Sequence, residues 1–229
     1  MISGLSRSYR VMDQLTLKFP FSKKYYEQDY FVSTNNYSAY KLIESWPNWP
    51  GKWLNIFGES GSGKTHLSNI LKKKIKKTII INSGKVDNTI IENLNNFECL
   101  IIDNFTNNIE DNLLYSILNH SKHIENYILI NSKVPIKNIN FNLKDLKSRI
   151  NSFTNIGIEL PTDDLLKVMI TKTLSDKQVI INSRLTEYII KHIERSYEKM
   201  FKFIREVDEL SLSTGKSINI NLIKKVLNK

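Results

Sequence analysis

Gly58-Glu59-Ser60-Gly61-Ser62-Gly63-Lys64-Thr65 spells a complete G-x-x-x-x-G-K-T pattern, the signature of a loop that wraps a polyphosphate in backbone N–H groups. The apolar Trp53-Leu54-Asn55-Ile56-Phe57 precedes it and a helix-prone run, residues 66–77, follows. The loop therefore joins a buried strand to a helix N-terminus, where an anion is favoured. Glycines are needed because the backbone must come close to the phosphates. In such a loop Lys64 pairs with the β- and γ-phosphates and the Thr65 hydroxyl ligates Mg²⁺. The plain alternative is a Gly/Ser turn that happens to precede a lysine. Every fixed position matches and the flanking elements lie on the correct sides, so the phosphate loop is preferred, with Gly58 through Thr65 and His66 as nucleotide contacts.

Downstream, short apolar or β-branched runs at 78–81, 99–102, 127–130 and 156–160 alternate with helical patterns at 86–93 and 111–121. That alternation predicts an α/β fold, a parallel sheet lying between helices. Ligands of such sheets bind at the carboxyl ends of the strands, which makes strand-end polar residues candidates. In Cys99-Leu100-Ile101-Ile102-Asp103-Asn104 an apolar strand ends in Asp103, placed to hold Mg²⁺ through its water shell. In Ile130-Asn131-Ser132-Lys133-Val134-Pro135, Asn131 or Ser132 can reach a γ-phosphate as a sensor; either also suits the start of the turn before Pro135. Asp145-Leu146-Lys147-Ser148-Arg149-Ile150 falls between the last two expected strands. Arg149 reads there either as a solvated surface residue or as a charge offered to a neighbour.

Upstream, Phe31 and Val32 can flank an adenine with Asn36 or Asn35 reading its edge, or the same residues form a strand end with an Asn helix cap. A helix over 37–46 and the turn-rich Pro47-Asn48-Trp49-Pro50-Gly51 lead into the first strand. Residues 1–24 read as a flexible tail. Its informative piece is Gln14-Leu15-Thr16-Leu17-Lys18-Phe19. An extended peptide of this order places the Gln14 amide on a polar rim while Leu15, Leu17 and Phe19 fill an apolar cleft. Alternation in a short edge strand would satisfy the same residues.

After Leu160-Pro161-Thr162-Asp163-Asp164 the pattern becomes helical, with Leu165, Leu166, Met169 and Ile170 at helical spacing and further helical runs at 185–193, 199–212 and 220–227. Only the brief Val179-Ile180-Ile181 interrupts them. The expected organisation is a tail (1–24), a nucleotide-binding base domain (25–161) and a small all-α lid domain (162–229).

At 229 residues and 41% apolar content the chain can bury two packed units. One cysteine, Cys99, inside an apolar run excludes a disulfide framework. No leader-like segment and no eighteen-residue apolar run occur, so a soluble cytoplasmic protein is expected, without a membrane partner. The net charge of +10 invites a nucleic-acid reading. The densest lysines, Lys72-Lys73-Lys74 and Lys76-Lys77, close the helix after the phosphate loop, where cations complement the dipole, and a solvated face is the simpler explanation.

With GESGSGKT followed by His66-Leu67, the Asp103 strand end and D-L-K-S-R-I in hand, the chain resembles the AAA+ module of the DnaA family of bacterial initiators. Within that family it looks most like the Hda-like regulators. The shared features are a tail peptide of the sliding-clamp-docking kind, Asp103-Asn104 in place of two acids, Trp46-Pro47-Asn48-Trp49-Pro50, and an end at residue 229, where initiators continue into a helix-turn-helix domain. The resemblance implies ATP or ADP with Mg²⁺ as ligands and Arg149 as an arginine finger acting in trans, with Asp103 and Asn131 as its own catalytic-site residues. Gln14, Leu15, Leu17 and Phe19 would bind the polymerase sliding clamp, with DNA reached indirectly through it. The DnaA initiator would be the partner, with self-association a further possibility. Active members carry a second acid where this chain has Asn104; a neutral amide cannot take a proton, so its own hydrolysis should be weak. Two departures stand out: Glu198, with Arg195 nearby, occupies the place of the lid's sensor arginine, and Lys133 that of an acid after the third strand. The rival expectation is a DNA-remodelling ATPase or helicase loader acting directly on DNA.

Overall fold

In a computed structural model, which describes residues 25–215 and 217–227, strands β1 (Trp53–Phe57), β2 (Thr78–Asn82), β3 (Cys99–Phe105), β4 (Tyr127–Ser132) and β5 (Thr154–Gly157) form one sheet. Its order is β2-β3-β4-β1-β5 and every pairing is parallel. The strands are near-continuous apolar runs because both faces are covered. Alternate residues serve opposite sides. Leu100, Ile102, Ile128 and Ile130 join one core cluster, and Cys99, Ile101, Leu129, Leu54 and Ile56 join the other. Cys99 lies fully buried, and burial pushes its thiol up to about 12, leaving it inert at neutral pH.

The connecting helices are α1 (Tyr37–Glu44), α2 (Lys64–Lys74), α3 (Thr89–Asn93), α4 (Asp111–His123) and α5 (Lys144–Ile150). Trp46 and Trp49 pack edge-on against Tyr127 at the start of β4, and the Trp49 indole donates to Leu42 O at the end of α1. Asn55 is a fully buried polar residue in the interior strand β1. Its amide donates to Ile130 O and Ser132 Oγ and accepts from Ile136 N, at 2.8, 2.9 and 2.9 Å. A buried amide so satisfied pins the carboxyl end of β4 to β1.

Past β5 follow α6 (Asp163–Ser175), α7 (Ser183–His192), α8 (Tyr197–Thr214) and α9 (Ile220–Leu227). Thr162, Asn182 and Ser196 cap α6, α7 and α8 by accepting from Leu165 N, Leu185 N and Lys199 N. These helices close on their own core, which includes Leu166, Ile170, Ile189, Met200, Ile204 and Ile223. Residues 179–181 form no strand, and Ile180 is 99% exposed. No helix among the described residues is long and apolar enough to cross a membrane.

Several boundaries differ from the sequence expectation, three of them for a visible physical reason. α2 ends at Lys74, because Ile75 turns extended and fills the core. The helix expected over 86–93 is confined to Thr89–Asn93, where Asp87 accepts from Thr89 N at 3.0 Å. β5 begins two residues early, at Thr154, as an edge strand paired with β1 alone; an edge tolerates polar Thr154 and Asn155.

Candidate nucleotide site at the carboxyl ends of the strands

β1 hands the chain to Gly58, and α2 begins at Lys64. Gly61 and Gly63 adopt φ of 86° and 97°, the left-handed region that L side chains resist. Both are also crowded. A Cβ on Gly63 would stand 2.9 Å from the Tyr30 ring, and one on Gly61 would stand 3.0 Å from the Phe201 ring.

Lys64 is buried, and its ammonium donates to Gly58 O at 2.7 Å and Glu59 O at 2.8 Å. Burial lowers its pKa to about 8, aided by Lys133 and opposed by Asp103 and Glu59. A cation held mainly by carbonyls, in a loop whose glycines leave the backbone open, suits an incoming polyphosphate. Thr65 Oγ1 donates to Asp103 Oδ2 at 2.8 Å. The Asp103 Oδ1 atom accepts from Asn131 Nδ2 at 2.8 Å, and the same Nδ2 reaches Ser68 Oγ at 2.7 Å.

Sheet order explains this convergence: β4 lies between β1 and β3, which sets Asn131 between the phosphate loop and Asp103. Asn131 is fully buried and its Oδ1 has no protein partner. Ser132 instead donates to Val134 O at 2.6 Å and accepts from Asn55. Of the two sensor candidates, Asn131 faces the loop helix and Ser132 holds the turn.

Asn104 takes φ of 55° at a register break between Ile102 and Phe105, and its side chain is exposed. Asparagine tolerates that backbone better than most residues. Ser83 Oγ anchors the Asn104 carbonyl at 2.7 Å.

The segment before α1 lies over the loop and α2. Tyr30 stacks on Tyr40 at 5.8 Å and meets His66 edge-on at 5.3 Å. His66 Nε2 donates to Tyr26 O at 2.6 Å, so it braces this segment, and burial lowers its pKa. Asn36 stands at the cap position of α1 but makes no cap bond. Its buried amide accepts from Ser33 N and donates to Phe31 O, shaping the 31–36 loop. Asn35 ties that loop to Leu160 O beyond β5. Phe31 and Val32 remain exposed, at 49% and 37%.

Glu59 turns its carboxylate away from the loop interior to Ser196 Oγ and to Tyr197 N at 2.8 Å, at the head of α8. The sequence marked Glu59 only by its place in the motif. Glu198 is exposed one position further on, and Arg195 pairs with Asp163 at 2.8 Å.

Arg149 belongs to a different face. Half-buried, its guanidinium donates to Asn119 Oδ1 at 2.8 Å. The surrounding cavity, about 700 Å³, is lined by residues of α3, α4 and α5 that include Tyr115, His120 and His123. Arg149 sits five residues before β5 starts, beside the half of α4 that leads into β4. That is the amino-terminal edge of the sheet, opposite the phosphate loop. Gln14, Leu15, Leu17 and Phe19 lie outside the described residues.

Comparison with known structures agrees with this geometry. Domain III of the Thermotoga maritima replication initiation protein DnaA superposes with a TM-score of 0.72 at 16% identity, over 92% of this chain and 98% of that one. The fold is that of an AAA+ P-loop module. AMPPCP-bound DnaA from Aquifex aeolicus shares it at a TM-score of 0.65 and 18% identity, over 85% of this chain and 68% of the other. In sequence, the chromosomal replication initiator protein DnaA of Buchnera aphidicola subsp. Cinara cedri (strain Cc) is 25% identical over 94% of this chain. A family model described as RNA helicase matches residues 54–148, from β1 into α5. The chain spans about half the length of the DnaA relatives it matches, 55% for the Buchnera protein. The chain is therefore DnaA-like in sequence and in fold.

Proposed function

We propose that this chain is an Hda-like regulator of replication initiation, which binds adenine nucleotide and makes the DnaA initiator hydrolyse its ATP. The supporting observation is the placement of Arg149 at the sheet edge opposite its own phosphate loop, held by Asn119 at 2.8 Å. A guanidinium so placed serves another protein's nucleotide, and in measured systems an arginine finger supplied in trans is worth about 10³ to 10⁵ in rate.

Gly58 through Lys64 would hold the phosphates, with Lys64 leaving its carbonyl partners for them. Thr65 and Asp103 would orient Mg²⁺, which neutralises phosphate charge when bound. Asn131 fixes Asp103 and keeps a free carbonyl in the site. Phe31, with the loop that Asn36 shapes, borders the base end. Asn104 offers no carboxylate to accept a proton from water, so the nucleotide is retained and stabilises the form that presents Arg149. Gln14, Leu15, Leu17 and Phe19 would dock the tail on the sliding clamp and raise the local concentration near replicated DNA. The protein would work in the cytoplasm.

Turnover of initiator-bound ATP, with clamp loaded on DNA, tests the proposal. Wild-type chain should accelerate it, and Arg149→Ala should lose at least about 10²-fold of that acceleration. Equal stimulation by the variant would sink the mechanism.

A further inference from the structure

The first turn of α8 is fastened to the phosphate loop. Glu59 accepts from Ser196 Oγ through Oε1 and from Tyr197 N through Oε2 at 2.8 Å. A loop carboxylate thus occupies donors that a helix of 18 residues leaves open at its positive end. The approach is close: a Cβ on Gly61 would stand 3.3 Å from Tyr197 Cβ as well as 3.0 Å from the Phe201 ring.

This attachment buries Tyr197, at 2% exposure, with its hydroxyl unpartnered. Tyr30, laid across Gly63, carries a second buried hydroxyl without a partner. Both side chains pack in the same core cluster, Tyr197 against Gly61 and Tyr30 against Gly63, and burial raises both phenols, Tyr197 to about 12, so each is a neutral O–H donor. Unpartnered buried hydroxyls are uncommon because each weakens the fold that contains it. Here two flank one anion-binding loop. Such donors are satisfied when an acceptor-rich ligand enters.

We propose that Tyr197, carried by the lid and positioned by Glu59, donates a hydrogen bond to an acceptor oxygen of the nucleotide on the phosphate loop, with Tyr30 as its partner from the other side. This rests on the nucleotide-binding reading above. It also gives the helix that begins at Tyr197 a contact with the ligand, where the next residue, Glu198, is an exposed acid.

Equilibrium binding of fluorescently labelled ADP to the full chain tests it. Tyr197→Phe should weaken binding about 5- to 10-fold while the melting temperature of the free protein stays level or rises, since an unsatisfied hydroxyl has gone. Affinity within twofold of wild type would overturn the contact. Glu59→Ala should weaken binding at least as much, with Glu59→Gln retaining part of it. Adding Ser196→Ala to Glu59→Ala should cost less than the product of the two single losses, because the two share one attachment although Ser196 also caps α8; losses that multiply in full would overturn the positioning role. Should wild-type chain bind no labelled ADP, the nucleotide reading falls and this contact with it. Tight wild-type binding untouched by Tyr197→Phe removes the contact alone.

Discussion

Asp103 and Asn131 share a hydrogen bond of 2.8 Å at the carboxyl ends of β3 and β4, and through it the second nucleotide signature is held rigid. Asp103 takes the Thr65 hydroxyl with its other oxygen. Asp103→Ala should therefore leave the buried Asn131 amide with Ser68 alone and cost about 1–3 kcal/mol, measured by urea unfolding. It should also abolish any gain in nucleotide affinity on adding Mg²⁺. A variant of full stability that still responds to Mg²⁺ would remove Asp103 from this role.

Lys64 sets a pH dependence. Its pKa in the free protein is lowered to about 8, whereas pairing with phosphate favours the charged form and raises it. Binding then takes up a proton above pH 8, and affinity for ADP should fall as pH rises from 8 to 9, by up to about tenfold. Stability of the free protein moves the opposite way. The folded pKa lies below the ordinary lysine value, so the penalty for the buried cation is present below pH 8 and is relieved as pH rises through it. Titration calorimetry from pH 7 to 9 reads the first effect, with Lys64→Arg as the flat control. A wild-type profile as flat as that of Lys64→Arg would contradict it.

On the proposed reading, Asn104 is the residue that separates retention of nucleotide from cleavage. Because its φ of 55° is nearly as accessible to aspartate as to asparagine, Asn104→Asp restores an acid at little backbone cost. Intrinsic hydrolysis should rise about 10²-fold, followed by release of phosphate from the chain alone. An unchanged rate would place the block elsewhere.

Asn119 holds the Arg149 guanidinium from the neighbouring helix. Asn119→Ala should reduce stimulation of initiator-bound ATP hydrolysis roughly tenfold, about what one charge-assisted hydrogen bond provides. Its own affinity for ADP should not change. Loss of both activities together would indicate a folding defect instead.

Much of the fold, and the placement of the candidate residues on it, was legible in sequence because it is local. G-x-x-x-x-G-K-T, the apolar run ending in Asp103 and the Asp145–Ile150 box each lie within one short segment, and β1, β2, β3 and β4 are strong apolar runs. What escaped depends on contacts between distant segments. Nothing local announces that Asn55 ties β1 to Ser132, that Glu59 meets Ser196, or that Asn119 meets Arg149. A faint signal existed: Asn55 interrupts an apolar strand, and Glu59 is an acid inside an anion-binding loop. Weak edge pairing hid the start of β5, and the choice between Asn131 and Ser132 required the sheet order, which adjacent residues do not encode.

The most direct test asks whose ATP is cleaved. Initiator loaded with ATP labelled at the γ-phosphate is mixed with this chain carrying unlabelled nucleotide, on clamp-loaded DNA, and the labels are then exchanged. Labelled phosphate should be released rapidly when the label sits on the initiator and slowly when it sits on this chain. Release at equal rates from both, or faster from this chain, would contradict the assignment of Arg149 to a partner's reaction.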